Sequence, residues 1–349
     1  MHATRFALLM FAASSALFAT AAAQEPCATV IHEPGAPIPP PPIVPDGVIF
    51  TGPGETLYIP MYLHVCRTAA GLHGIDEGAL AQAVDQANLA LSQLGIQVCH
   101  VGEIDYIDDD RFSPLTVPFM TNVLRQTNDV PGVMNVYFTL TYLYCGISSF
   151  TFSPVQGIVM SNVCVGPGDP STFAHEIGHY FDLFHTHETT YGKECVSGVN
   201  CSYAGDLICD TPADPQLTGQ TVDLNCNYTG NTPGPCPDDP PYAPDTDNYM
   251  SYSRPLCRDR FTSLQAQRAR FIATTLRAGL LRTACPHSCT GDLNFDDVVD
   301  VADLGLLIAS YGHTTGSLDF NAAADIDRDG VVDQADLGIL LATLGQPCK

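Results

Sequence analysis

Apolar residues fall into two rhythms along this chain. Leu57 to Arg67 (LYIPMYLHVCR) is dense in β-formers and predicts a first strand. From Asp76 to Leu94 the positions Leu80, Val84, Ala87, Leu91 and Leu94 recur at helical spacing, with Asp76 placed to cap the start and Gly95 to close the end. Ile96–Val101, Val133–Leu143 and Gly157–Val163 read as further strands, the last running into the turn Gly166-Pro167-Gly168-Asp169-Pro170. Much later, Thr262-Ser263-Leu264-Gln265 forms a capping box ahead of Leu264, Phe271, Ile272, Leu276 and Leu280, which predicts a helix to about Arg282. Strands, a backing helix, more strands and a closing helix describe an α/β (α+β) domain over residues 50–284, with a mostly β N-terminal half and room for one core.

Two stretches ahead of that domain follow other rules. Residues 1–23 combine a basic start (His2, Arg5), an apolar run from Phe6 to Phe18 and Ala21-Ala22-Ala23, the pattern of a secretory signal peptide. The run is shorter than the ~20 residues that span a bilayer, so export and a secreted product are expected, with no membrane attachment. Residues 24–49 contain Pro-Gly-Ala-Pro-Ile-Pro-Pro-Pro-Pro and read as a Pro-rich N-terminal linker.

Charge and cysteine content narrow the classes. A formal charge of −24 leaves no basic surface for phosphates, which excludes nucleic acid as partner and disfavours anionic membranes. The chain has 14 cysteines, all after the expected cleavage point and none in a close C-x-x-C pair, so disulfides are the expected use. Six of them (Cys195, Cys201, Cys209, Cys226, Cys236, Cys257) lie in a Gly/Pro/Asp-rich segment with little apolar periodicity, where cross-links supply the order that a core does not. Cys27 is expected to pair with another cysteine, with capping of a metal as the alternative. Cys348 has Cys285 and Cys289 as candidate partners.

The chemistry concentrates in His175-Glu176-Ile177-Gly178-His179-Tyr180-Phe181-Asp182-Leu183-Phe184-His185. On a helix, His175 and His179 project from one face, and Glu176 lies beside them within reach of an attacking water. His185 is the candidate third zinc ligand, provided that the helix ends near Phe181 or Asp182 and the chain turns back. His64 is read as an ordinary strand residue.

These residues resemble the extended H-E-x-x-H-x-x-G-x-x-H signature of the metzincin clan, and HEIGHYFDLFHTHET is most similar to the pappalysin family. Asp182 stands where the family has glycine, and Asp tolerates the left-handed turn at a cost of roughly 1 kcal/mol. Asp247-Asn248-Tyr249-Met250-Ser251-Tyr252 resembles the Met-turn. The resemblance implies Met250 as the floor of a zinc site, Tyr252 as a hydrogen-bond donor to the oxyanion, and Glu176 as general base of a zinc endopeptidase acting on protein or peptide substrates. Gly205-Asp206…Asp210-Thr211-Pro212 also resembles a pappalysin stretch of structural, calcium-associated character.

The last segment, 285–349, is an internal repeat. Asp292-Leu-Asn-Phe-Asp-Asp-Val-Val-Asp-Val-Ala-Asp303 and Asp325-Ile-Asp-Arg-Asp-Gly-Val-Val-Asp-Gln-Ala-Asp336 share a spacing, each leading into a short helix (Leu304–Tyr311; Leu337–Leu344). From Gly291 to Lys349 there are 11 Asp against Arg328 and Lys349, a clustering that points to calcium as counter-ion. Candidate ligands are Asp292, Asn294, Asp296, Asp300 and Asp303 in the first loop, and Asp325, Asp327, Asp329, Asp333 and Asp336 in the second. Asp297 occupies the sharp-turn position that Gly330 fills in the second, so the first loop is expected to bind more weakly. The pair resembles a type I dockerin, a small all-α module, which implies a cohesin-like receptor as a possible partner. A second reading of the whole chain follows: an adhesion or scaffold protein acting mainly through this module, with a weak peptidase domain. The intact His175, Glu176, His179 and His185 weigh against it.

Overall fold

The structure is a computed structural model that describes residues 27–31, 55–346 and 348. The expected signal peptide and most of the Pro-rich stretch lie outside the described residues.

β1 (Leu57–Arg67) is the strand around which the sheet is laid. β2 (Ile96–His100) pairs in parallel with its first half, Leu57 opposite Ile96. β3 (Asp105–Asp108) pairs with its second half, His64 opposite Asp105. On the other side lies β4 (Met134–Thr139), then β6 (Ile158–Ser161), both parallel, and β5 (Gly146–Ser148) closes that edge antiparallel to β6. Strands covered on both faces lose polar alternation, which is why β1 and β4 read as near-continuous apolar runs. One face takes α1 (Glu77–Leu91), whose Leu80, Ala83, Ala87, Ala90 and Leu91 share a core with Ile59, Met61, Leu63 and Val65. Cys66, Phe112, Leu124, Tyr137 and Val159 fill the opposite face.

Asp76 caps α1 through Gly78 N and Ala79 N, and Gly95 ends the following turn in a left-handed conformation (φ 64°). The strand expected over Val133–Leu143 is shorter, and β3 and the short α2 (Met120–Leu124) are elements that no periodicity announced. α4 begins at the expected capping box but spans only Ser263–Thr274. The Thr274 and Thr275 hydroxyls donate to the carbonyls of Arg270 and Phe271, a competition with the helix ladder that stops it short of Arg282.

Cross-links Cys195–Cys236, Cys201–Cys209 and Cys226–Cys257 staple the loop-rich half, and Cys145–Cys164 joins β5 to the end of β6. Cys289–Cys348 closes the repeat module, whereas Cys285 bonds Cys99 on the main domain. Cys27 and Cys66 are unpaired and buried, which corrects the expectation of a disulfide at Cys27.

In the repeat module, α5 (Val301–Ser310) and α6 (Gln334–Thr343) begin slightly earlier than expected. They enclose Leu293, Val299, Leu307, Phe320, Val332 and Leu340. Phe295 leaves this core and packs among Tyr62, Val101, Val130 and Val133 of the main domain. Arg282 donates to the carbonyls of Asn294 and Phe295, and Asn128 bonds Thr315 Oγ1 and Gly316 N. Among the described residues no helix is long and apolar enough to cross a membrane.

Candidate metal centre

α3 (Thr172–Tyr180) is buried along its whole length, so its polar side chains face protein. His175 and His179 project from it toward one point. Their Nδ1 atoms donate to the carbonyls of Tyr249 (2.6 Å) and Leu183 (2.7 Å), which leaves both Nε2 lone pairs facing that point.

The helix stops where the third imidazole requires. Leu183 N donates to Gly178 O, and Asp182 takes φ 56°. Asp182 is held there by Thr151, whose N–H and hydroxyl both donate to its carboxylate (2.8 and 2.5 Å). The turn brings His185 Nε2 to 3.0 Å from His179 Nε2, and His175 Nε2 lies 3.1 Å from the latter.

Nitrogen ligands on a tetrahedral zinc at ~2.05 Å stand roughly 3.3 Å apart, so these donors fit one ion with little movement. Burial drives the His175 and His185 pKa well below the usual value and lowers that of His179 to about 3, favouring neutral, ligating imidazoles. His64 takes no part: it lies on β1 between Asp105 and Asn135. His187 stacks on His185 and lies tilted against Tyr252 without joining the cluster.

Met250 is fully buried beneath the helix, and a Cβ on Gly178 would come within 2.5 Å of its sulfur. Gly146 is equally constrained: a Cβ there would stand 2.4 Å from Glu176 Cγ, so β5 can lie against that side chain only without one. Arg258, which no sequence signal marked, ties the start of α3 to the Met-turn through Ser171 Oγ, Thr172 Oγ1 and the Ser251 carbonyl.

Glu176 is fully buried, and burial pushes its carboxyl pKa up to about 7. Its Oε2 accepts from Thr29 Oγ1 at 3.1 Å, while Oε1 has no hydrogen-bond partner. Thr29 belongs to a segment, residues 27–31, expected as linker and found inside the cleft. Cys27 Sγ lies 3.5 Å from His179 Nε2 and completes a four-member cluster with His175, His179 and His185. Burial and the neighbouring Glu176 push the thiol pKa up, and a bound cation reverses that preference. Tyr252 donates to the Cys27 carbonyl at 2.8 Å.

The repeat loops are built differently. Asp325, Asp327 and Asp329 offer oxygens within 4.8 Å of one another. Asp300 and Asp333 cap α5 and α6. Asp303 and Asp336 are buried and accept backbone N–H groups on both oxygens. In the first loop Asp292 accepts from Asp296 N and Asp297 N, and Asn294 bonds Asp296.

A family model described as pregnancy-associated plasma protein-A, a peptidase family, matches residues 126–273, and the dockerin type I domain matches residues 290–345. An extracellular metalloprotease of Colletotrichum graminicola is 28% identical over 238 residues, covering 62% of this chain and 77% of that protein. One of Pyricularia oryzae is 25% identical over 242 residues, covering 64% and 78%. A solved structure of mirolysin in complex with compound 9 shares the fold, with a TM-score of 0.50 at 18% identity over 65% of this chain and 96% of that one. The chain therefore carries a pappalysin-like metalloprotease domain followed by a C-terminal dockerin-type domain.

Proposed function

We propose that the chain is a secreted endopeptidase in which His175, His179 and His185 hold the zinc and Glu176 is the general base. The supporting observation is the convergence of three Nε2 atoms beside a buried carboxylate with a free oxygen. Zinc held there lowers the pKa of a water and polarises the scissile carbonyl. Glu176 Oε1 takes the proton of the attacking water and returns it to the leaving amine, a role suited to a carboxyl raised to about 7. Tyr252, whose hydroxyl donates to the carbonyl of Cys27, turns that bond to the substrate oxyanion. Extracellular action accords with the names of the Colletotrichum and Pyricularia relatives.

The segment around Cys27 occupies the same place as a substrate, so in this form the chain is latent. The Cys27 thiol would supply a further donor to a metal held by the three histidines, and Thr29 engages the base. Hydrolysis of a mixed peptide library by the zinc-loaded chain, with and without alkylation of Cys27, tests both statements. Chelator-sensitive cleavage that rises on alkylation is expected; cleavage untouched by a chelator removes the zinc mechanism.

In the dockerin-type domain we assign calcium to the two aspartate loops, with a cohesin-like receptor as the partner class. Calcium titration of the full chain by calorimetry checks the first assignment, and no heat above the buffer blank refutes it.

A further inference from the structure

A cavity of 520 Å³ beside the metal cluster is lined by His187, Glu188, Lys193, Glu194 and Asp214, with Ile31 at its wall. Ile31 is buried against Phe150 and Phe184, with Tyr191 and Leu207 packed at the rim of that apolar recess. We infer that this apolar recess is a substrate subsite that selects a large aliphatic side chain at one fixed distance from the scissile bond. The inference rests on the peptidase reading above and adds its specificity.

Three features support it. First, the recess is built from the site's own elements. Phe150 follows β5, and Phe184 sits in the turn between His179 and His185. The Phe150 ring stands 5.5 Å from that of His179 and 5.3 Å from that of Phe184, edge to face in each case. Its distance from the cluster is therefore set by the same turn that sets the ligands. Second, the chain leading to Ile31 is held as an extended peptide would be on a sheet edge. Ala28 N donates to Gly146 O at 2.9 Å, and Ser148 N donates to Thr29 Oγ1 at 2.7 Å. The first is a main-chain bond, which gives affinity without sequence preference, the second engages the Thr29 side chain, and a pocket beside such bonds gives selection. Third, Ile31 lies four residues beyond Cys27, so a side chain in the recess is about three to four residues from the bond being cut. Exchanging a buried aliphatic group for glycine or a charged group there costs roughly 10- to 100-fold in kcat/KM.

The experiment uses the full chain carrying Cys27→Ala and Ile31→Asp, which frees the cleft and leaves His175, Glu176, His179 and His185 untouched. With zinc supplied, cleavage of a mixed peptide library is expected to show Ile, Leu, Val or Met enriched about 10- to 100-fold over Asp and Gly at a single position on one side of the cut. Adding Tyr191→Glu at the rim is expected to reduce that enrichment. A flat profile at every position overturns the subsite while leaving the peptidase reading intact, and absence of any cleavage overturns both. A second measurement does not depend on turnover. In the otherwise unaltered chain, Ile31→Asp is expected to raise the rate of Cys27 modification by a thiol reagent at least about tenfold, whereas Ile31→Leu is not. Equal rates in the two variants show that Ile31 anchors nothing, and the recess loses its claim to bind an aliphatic side chain.

Discussion

The imidazole cluster and the aspartate loops are both sets of ligand-type side chains at regular spacing, yet the protein holds them by opposite means. In the cluster the donors are buried, carry little charge, and are locked by carbonyls of Tyr249 and Leu183 and by the packing of Met250 under Gly178. Their geometry is a product of apolar burial. In the loops the donors are carboxylates, some exposed and some buried, their mutual repulsion offset by backbone N–H groups and helix caps. Burial raises the pKa of Asp292 and Asp325 to about 6, with neighbouring carboxylates adding to the effect. A site made by packing is ready before its ion arrives, whereas a site made of like charges gains part of its stability from the ion.

Removing the base breaks the cluster's chemistry without touching its ligands, and gives the largest effect. Glu176→Gln, in the alkylated chain, is expected to lower kcat by ~10²–10⁴-fold at unchanged zinc content by metal analysis. Retention of more than about a tenth of the activity contradicts the assignment. The comparison is sharpened by the two histidines beyond the turn. His185→Ala should empty the site, while His187→Ala, a stacking neighbour, should cost at most the roughly 10- to 100-fold in affinity typical of outer partners. If His187→Ala empties it instead, the packing that defines the cluster has been misassigned.

On the calcium assignment proposed above, the loops should respond to their ion. Calcium at about 100 times its dissociation constant adds about 2.7 kcal/mol to a folded state that alone binds it, which a calcium-dependent rise in Tm of the full chain detects. Asp325→Ala should blunt that rise more than Asp292→Ala. Gly330 meets the positive φ of 88° freely, while Asp297 holds 70° and lends an oxygen to His287 N. Equal loss in the two variants removes the distinction between the loops.

The smallest effect is a pH slope. Asp206 is fully buried, and burial raises its pKa to about 8, against Arg268 and Thr211, which act to lower it. A folded pKa above the unfolded one means stability that is complete below about pH 4 and declines as pH rises through about 8. In excess chelator, Tm should fall between those limits, and Asp206→Asn should flatten the fall. A slope that survives the substitution belongs to other groups, among them Glu194, raised by burial to about 7.

Much of this was legible in the residues, for a reason particular to each. Histidines four apart on a helix and repeated aspartates are local patterns, and local patterns carry over into structure. The left-handed turn at Asp182 was also foreseeable from its chemistry, but its support by Thr151 was hidden, since nothing in sequence links residues 31 positions apart. Cys27 was misread for the same reason. Its place among the imidazoles depends on contacts made 152 residues away, and an even cysteine count argued for pairing. Arg258, Gly146 and the short strand β3 likewise owe their roles to tertiary neighbours.

On the latency proposed above, the residues that fill the cleft are continuous with the domain they would block. Their local concentration at the cleft is therefore set by the joining chain and is independent of how much protein is present, as for any tethered ligand. Dilution after export, which would strip away a separate inhibitor, leaves this one seated. Activation by a single cut in the joining chain would be irreversible once the freed segment diffuses away, whereas modification of the Cys27 thiol would leave the segment tethered and able to return.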